Sequence, residues 1–401
     1  MHPYLIRVLT TIMIQFDSID KETFLSEYWQ KKPLLIRNAL PDFSSPVTAE
    51  ELAGLSLEEE VESRIVIQHS TEDYELKKGP FEESLYETLP EKNWTLLVQG
   101  MDRLLPEVTE LLNEFDFIPS WRIDDIMVSY ATEGGNVGPH FDHYDVFLLQ
   151  AQGERRWQLS AQDCDETNYI EGVDLRLMKR FVVEEEYVCQ PGDILYVPPK
   201  WGHHGVGLTD DCMTFSIGYR TYRGLELWDS FGDYLAETQQ FQSLYQDPNW
   251  QGTAPGQISE GSWQQAQSLL KAALQNEEAL KNWFGRFATQ LDQGASQLLP
   301  DPLNETESCP LETFIEALQS AEGVLRDSVC RFAYTEFTQD QVKLYINSAE
   351  WQDFKAESDF IRCLCNQRFI DQATLTLYLN HAGNQALLYD LWNLQFIEVI
   401  Q

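Results

Sequence analysis

The chain has 401 residues, long enough for two or three domains, and its 43% hydrophobic and 12% aromatic content can fill their cores. A formal net charge of −37 argues against a nucleic-acid-binding surface, which would be basic, and suits a basic protein partner or plain solubility. Seven cysteines are scattered without a Cys-x-x-Cys pair, which speaks for a reduced, cytoplasmic protein over a disulfide scaffold.

The opening MHPYLIRVLTTIMI is apolar but short, Arg7 interrupts it, and no small-residue cleavage site follows. It reads as neither signal peptide nor membrane span. Residues 20–30 predict a helix, with Phe24, Leu25, Tyr28 and Trp29 on its periodicity and Asp20 as cap. Residues 33–36 read as a strand. Thr48 followed by Glu51 is a capping-box signal for a short helix over 48–55. Residues 64–69 and 94–98 are strand-like. Residues 102–115 predict one helix with Leu104, Leu105, Val108, Leu111 and Leu112 on a face. From 121 to 220 short strands with Gly and Pro punctuation predict a β-barrel or jelly roll.

Composition then shifts. Residues 225–237 predict a helix with Leu225, Trp228, Phe231 and Leu235 along one face. A polar loop over 243–261 leads to two more amphipathic helices over 263–291. A proline-bearing linker spans 297–310. Beyond it come a helix near 311–321, strands near 324–334 and 341–346, helices near 354–366 and 371–380, and a last stretch at 387–400. Residues 301–401 carry 16 Asp and Glu against 6 Lys and Arg, the wrong balance for gripping a duplex. A protein-contact module is expected there.

The chemistry is concentrated in two places. Four of the seven histidines lie in GPHFDHYDVFLLQAQGERRW (138–157) and PGDILYVPPKWGHHGVGL (191–208). His140 and Asp142 are two apart, so on a strand they point to one face; His143 has the opposite parity. A third ligand must come from elsewhere, and two His plus a carboxylate is the facial triad of non-haem Fe(II) oxygenases. The PGD turn, a short buried strand at 194–197 and Pro198-Pro199 precede His203 and His204, either of which the spacing allows as that ligand. Arg155 follows an intervening strand; Arg156 has the opposite parity and reads as solvated or structural.

These stretches, together with EYWQKKPLLIRNAL (27–40), SWRIDDIMVSY (120–130), GDILYVPP (192–199) and FSIGYR (215–220), resemble the JmjC-type ribosomal oxygenases, which are Fe(II)- and 2-oxoglutarate-dependent hydroxylases. The resemblance covers nearly the whole chain from about Met13 and is strongest to the bacterial branch acting on an arginine of large-subunit ribosomal protein sixteen. It implies an α+β protein: a double-stranded β-helix of the cupin/JmjC jelly-roll type, a helical dimerisation region, and a winged-helix-like C-terminal domain, over 1–223, 224–298 and 299–401. It implies His140, Asp142 and His203 as metal ligands and Arg155 on the distal carboxylate of 2-oxoglutarate. The implied partners are a basic ribosomal protein, O2 and a second copy of the chain, with no direct nucleic-acid or membrane contact. His143 and His204 depart from the family pattern. Asp124 or Asp125 could meet a cationic substrate. Competing readings are a ribosomal-protein histidine hydroxylase, a JmjC demethylase, a non-oxidative metal cupin and a catalytically dead scaffold.

Overall fold

The structure, a computed structural model, describes residues 14–16, 19–71, 73–172, 175–338, 341–351 and 355–401. The opening apolar segment up to Met13, and Phe354 at the start of one expected helix, lie outside the described residues. Those residues divide into two compact units, one up to Thr221 with Gln293–Leu298, the other Tyr222–Asp292 with Leu299–Gln401.

Local signals act as expected near the N-terminus. Asp20 accepts the Thr23 N–H at 2.7 Å and opens a helical turn that widens over Phe24–Tyr28. Thr48 and Glu51 form the reciprocal capping box, at 3.2 and 2.8 Å, worth about 1 kcal/mol to the helix Ala49–Leu55. One expectation is corrected. The helix over 102–115 is broken into Met101–Leu104, Pro106–Leu111 and a tight turn at Leu112–Phe115. Leu105 is extended (φ −126°, ψ 118°) because the ring of Pro106 disfavours the α conformation in the residue before it.

The first unit contains twelve strands: β1 (Leu34–Ile36), β2 (Ser63–Ser70), β3 (Asp73–Lys78), β4 (Trp94–Val98), β5 (Ile123–Ala131), β6 (His140–Phe141), β7 (Val146–Gln152), β8 (Arg155–Ser160), β9 (Glu185–Cys189), β10 (Ile194–Val197), β11 (Gly202–Gly207) and β12 (Cys212–Tyr219). Eight form one sheet in the order β1-β10-β7-β12-β5-β4-β2-β3, and four form another in the order β6-β11-β8-β9. The pairings are antiparallel, as a jelly roll requires.

The central strands β7, β10 and β12 are buried on both faces. One face of the large sheet presents Phe147, Leu149, Tyr196, Phe215 and Ile217 to the N-terminal segment. The other presents Val146, Leu148, Leu195 and Val197 to Trp157 and Leu159 of the small sheet. Phe147 sits in an aromatic cluster, with ring centroids 5.0 Å from Tyr196, 5.2 Å from Phe115 and 5.6 Å from Phe24. Truncating it to alanine would cost about 3–5 kcal/mol. A polar network secures the same corner: Tyr196 donates to Asp145 at 2.6 Å, and Gln30 donates its backbone N–H to Tyr196 and its carboxamide to Asp145. The 27–40 stretch thereby holds Asp145, the residue before β7 and three beyond Asp142.

In the second unit, helices Gly224–Glu237, Glu260–Leu274 and Glu277–Ala288 precede a region with two three-stranded sheets. The helix Glu277–Ala288 lies against the strand Gln341–Ile346. A Cβ on Gly285 would come within 2.4 Å of the Tyr345 ring, so the helix approaches only because that residue is glycine. Asn282 accepts from Tyr345 at 3.0 Å and from Lys343 at 3.1 Å.

Candidate active site

β6 pairs with β11 so that His140 lies directly opposite His203. Opposed residues of an antiparallel pair share a face, and the two imidazole centroids are 4.2 Å apart. Asp142 follows the end of β6, with its Oδ2 3.6 Å from His203 Nε2. One ligand atom from each of His140, Asp142 and His203 lies within 4.8 Å of the others. Two imidazoles and one carboxylate around a common point form a donor set suited to a divalent metal, with open positions left over.

The two histidines are held alike. His140 Nδ1 is 3.0 Å from the Gly138 carbonyl and His203 Nδ1 is 3.1 Å from the Trp201 carbonyl. A carbonyl only accepts, so each Nδ1 carries a proton, and Nε2 is the nitrogen each ring can turn to a metal. Burial, then the neighbouring His140, pushes His203 down to about 4, so it is neutral near pH 7.

The remaining histidines point elsewhere. His204 pairs across from Gln158 while His203 pairs across from Leu159, so the register puts them on opposite faces. His204 Nε2 lies 3.3 Å from Asn136 Oδ1, and its ring meets Phe181 edge-on. His143 Nε2 is 3.7 Å from Glu166 Oε1 and its ring stands edge-on to Phe141.

Arg155, Trp157 and Leu159 alternate along β8 on the inner face with His203. Arg155 is 5% exposed. Its guanidinium carbon is 5.6 Å from the Trp157 ring centroid, and that ring is 6.0 Å from His203. Its Nε donates to Cys212 Sγ at 3.3 Å, while its Nη2 is buried with no hydrogen-bond partner among the described residues. A buried, unpaired guanidinium nitrogen is costly unless an anion meets it. Gly205 faces Trp157 across the pair; a Cβ there would lie 2.5 Å from the indole, and one on Gly207 would lie 2.8 Å from the Thr132 carbonyl. Arg156, on the outer face, is half-buried, and its Nε is likewise without a partner among the described residues.

Asp124 pairs with Arg220 at 3.0 Å. Asp125 is buried and accepts from the Gln99 side chain at 2.7 Å and the Gly100 N–H at 2.9 Å. Burial, then the nearby Asp102 and Asp124, pushes it up to about 7. Sequence reasoning missed Trp157, Cys212, Gln150, Thr214 and Asn136. Gln150 donates to Cys212 Sγ at 3.4 Å and accepts from Thr214 at 3.1 Å, completing the polar wall behind Arg155. A signal for Cys212 and Thr214 exists in β12, where Cys212, Thr214 and Ser216 alternate with Met213, Phe215 and Ile217.

Residues 110–227 match the JmjC domain model and residues 272–398 match the ROXA-like winged helix model. The chain is 33% identical over 394 residues to a probable ribosomal oxygenase of Haemophilus influenzae, covering 94% of this chain and 93% of that one. It is 33% identical over 306 residues to the ribosomal protein uL16 3-hydroxylase of Escherichia coli, covering 76% and 79%. The structure of YcfD, a ribosomal oxygenase from Escherichia coli, in complex with cobalt and 2-oxoglutarate superposes with a TM-score of 0.81 at 28% identity, over 96% of this chain and 99% of that one. With a relative this similar along nearly its full length, the chain belongs to the JmjC-domain ribosomal oxygenases.

Proposed function

We propose that the chain is an Fe(II)- and 2-oxoglutarate-dependent hydroxylase acting on an arginine side chain of ribosomal protein uL16. The overall change takes 2-oxoglutarate, O2 and a substrate C–H to succinate, CO2 and a C–OH. The observation that carries the chemistry is the convergence of His140, Asp142 and His203 on one point, with the unpaired Arg155 nitrogen on the same inner face.

His140, Asp142 and His203 would hold the iron, and Arg155 the distal carboxylate of 2-oxoglutarate. When bound, iron and 2-oxoglutarate supply the oxidising power. The chain's own residues bind, orient and exclude water. Arg155 offers a rigid fork matched to a carboxylate, which a lysine would meet only as a point charge. Cys212, itself bonded by Gln150, holds that fork from behind, and the Trp157 ring lies between Arg155 and His203. Of the two carboxylates that could meet a guanidinium, Asp124 is paired with Arg220 and Asp125 is buried and held by Gln99 and Gly100.

The substrate reading is supported by the likeness to an enzyme named for uL16 3-hydroxylation and by the net charge of −37, which favours encounter with a basic protein without fixing specificity. The helical region over 224–298 is proposed as a homodimer surface. Leu225 and Trp228 are 71% and 47% exposed there, and Trp263, Leu270 and Leu274 are exposed as well. The region over 299–401 is proposed as a protein-contact domain that does not itself bind nucleic acid. A cytoplasmic location fits seven free thiols; among the described residues no helix is long and apolar enough to cross a membrane.

The test is to incubate uL16, or an arginine-containing fragment of it, with the protein, Fe(II), ascorbate and 2-oxoglutarate, and to map products by tandem mass spectrometry. One added oxygen on an arginine is expected. Oxygen on a histidine would overturn the substrate but keep the class. Demethylation of a methyl-lysine peptide without oxygen gain on uL16 would favour the demethylase, and no succinate release at all would sink both.

A further inference from the structure

We propose that Asn136 and His204 are positioning residues for His140, fixing its imidazole tautomer and direction through the backbone of Gly138. The inference rests on the reading of His140 as a metal ligand.

Asn136 lies in the loop between β5 and β6 and is 2% exposed. Its carboxamide oxygen faces three donors: the Gly138 N–H at 2.9 Å, the Tyr74 hydroxyl at 3.1 Å and His204 Nε2 at 3.3 Å. Its carboxamide nitrogen donates to Gln68 Oε1 at 2.8 Å and to the Gly134 carbonyl at 2.9 Å. Gln68 Nε2 in turn donates to the Tyr74 hydroxyl at 2.8 Å. Gln68, Tyr74 and Asn136 thus close a ring in which each donates to the next. The ring by itself could run either way, but the Gly138 N–H only donates and the Gly134 carbonyl only accepts, so the Asn136 oxygen must face Gly138 and His204.

Gly138 relays the constraint. Its φ of +77° suits glycine, and a Cβ there would lie 2.5 Å from Leu177 and 3.2 Å from the Tyr74 ring. With the N–H held by Asn136 and the conformation fixed, the Gly138 carbonyl is aimed at His140 Nδ1. That bond leaves Nε2 as the nitrogen the ring can turn to a metal. His203 has the Trp201 carbonyl for the same purpose, but it sits on a continuous strand. His140 sits on a strand of two residues and needs the loop before it to be rigid. His204 thus supports the site from the outer face, donating its Nε2 proton to the residue that orients the opposite ligand.

Partners of this kind typically matter by about 10- to 100-fold in metal affinity. The experiment titrates Co(II) into the metal-free full-length protein, following the visible absorption of the bound ion, for wild type, His140→Ala, Asn136→Ala, His204→Ala, His204→Gln and Tyr74→Phe. Melting of each metal-free protein and the ¹⁵N signals of His140 are recorded alongside. Asn136→Ala is expected to weaken Co(II) about 10- to 100-fold and to mix the His140 tautomers before any metal is added. His204→Ala and Tyr74→Phe, which each remove one of three donors, should weaken it by a smaller factor, with His204→Gln restoring it. If Asn136→Ala does not fold, His204→Ala and Tyr74→Phe decide. Unchanged affinity and a single Nδ1–H tautomer in those variants would overturn the inference. Unchanged affinity in His140→Ala would instead overturn the metal-site reading on which it rests.

Discussion

Replacing Arg155 by alanine should weaken 2-oxoglutarate binding far more than replacing Arg156. The structure sets the size of the effect. Arg155 Nε is occupied by Cys212 at 3.3 Å, so the guanidinium has Nη2 to offer from a site that is 5% exposed. A hydrogen bond to a charged group contributes about 1.5–3 kcal/mol, which corresponds to roughly a 10- to 150-fold change in dissociation constant. Arg156 is a fair control, since it too has a buried nitrogen without a partner among the described residues. It differs in facing the outer side of the small sheet, where it should matter less than about threefold if only Arg155 meets the ligand. The assay is calorimetric titration of 2-oxoglutarate into the Mn(II)-loaded protein, paired with the KM for 2-oxoglutarate in succinate release. Arg155→Lys should fall between wild type and alanine, because it keeps the charge and loses the fork. Equal losses in the Arg155 and Arg156 variants, or no loss at Arg155, would refute the assignment.

Asp142→Ala should abolish turnover and weaken Fe(II) binding, read by succinate release and metal titration; full activity would remove the triad. His203→Ala should be far more damaging than His204→Ala, and the reverse order would move the ligand by one residue. Light scattering should give about twice the 46.4 kDa chain mass; a monomer at micromolar concentration would remove the pairing claim and leave the chemistry intact. Asp125 should make stability fall with pH. Its folded pKa of about 7 lies above the ordinary 3.8, so the folded chain holds that proton more tightly and the stabilisation present below pH ~3.8 is lost as pH rises towards 7. Asp125→Asn should flatten the melting temperature across that window, and an unchanged slope would sink the assignment.

The strands β7 and β10 that back the site are readable because their apolar runs are nearly continuous, which in a double-layered fold means burial on both faces. Parity along β8 separates Arg155 from Arg156 without coordinates. Parity alone cannot choose between His203 and His204, since that depends on how β11 registers with β6 and β8, a long-range fact. β3 escapes notice because Asp73–Lys78 is largely charged, as an edge strand is free to be. The helix over 102–115 is over-extended in the sequence because apolar periodicity continues through Pro106 while backbone sterics do not. Cys212 is invisible as a functional residue because it acts on Arg155, distant in sequence, and Asn136 because its bond to Gly138 is that of an ordinary asparagine turn while Gln68, Tyr74 and His204, which hold it, are distant. The alternation in β12 is the available clue to Cys212, and by itself it reads equally well as core.

The glycines of β11 carry a consequence for folding. Adjacent histidines at 203 and 204 present a degenerate choice: a slip of one residue would turn His204 inward as a counterfeit ligand, and the chain would seem to have kept its triad. The same slip would carry Val206 into the place of Gly205, 2.5 Å from the indole of Trp157, and Leu208 into the place of Gly207, 2.8 Å from the Thr132 carbonyl. Neither place has room for a side chain. The misaligned strand is thus rejected by collision two and four residues away from the ambiguity. A chain with alanine at 205 would keep both collisions in the slipped strand but crowd the correct register as well, narrowing the difference between the two.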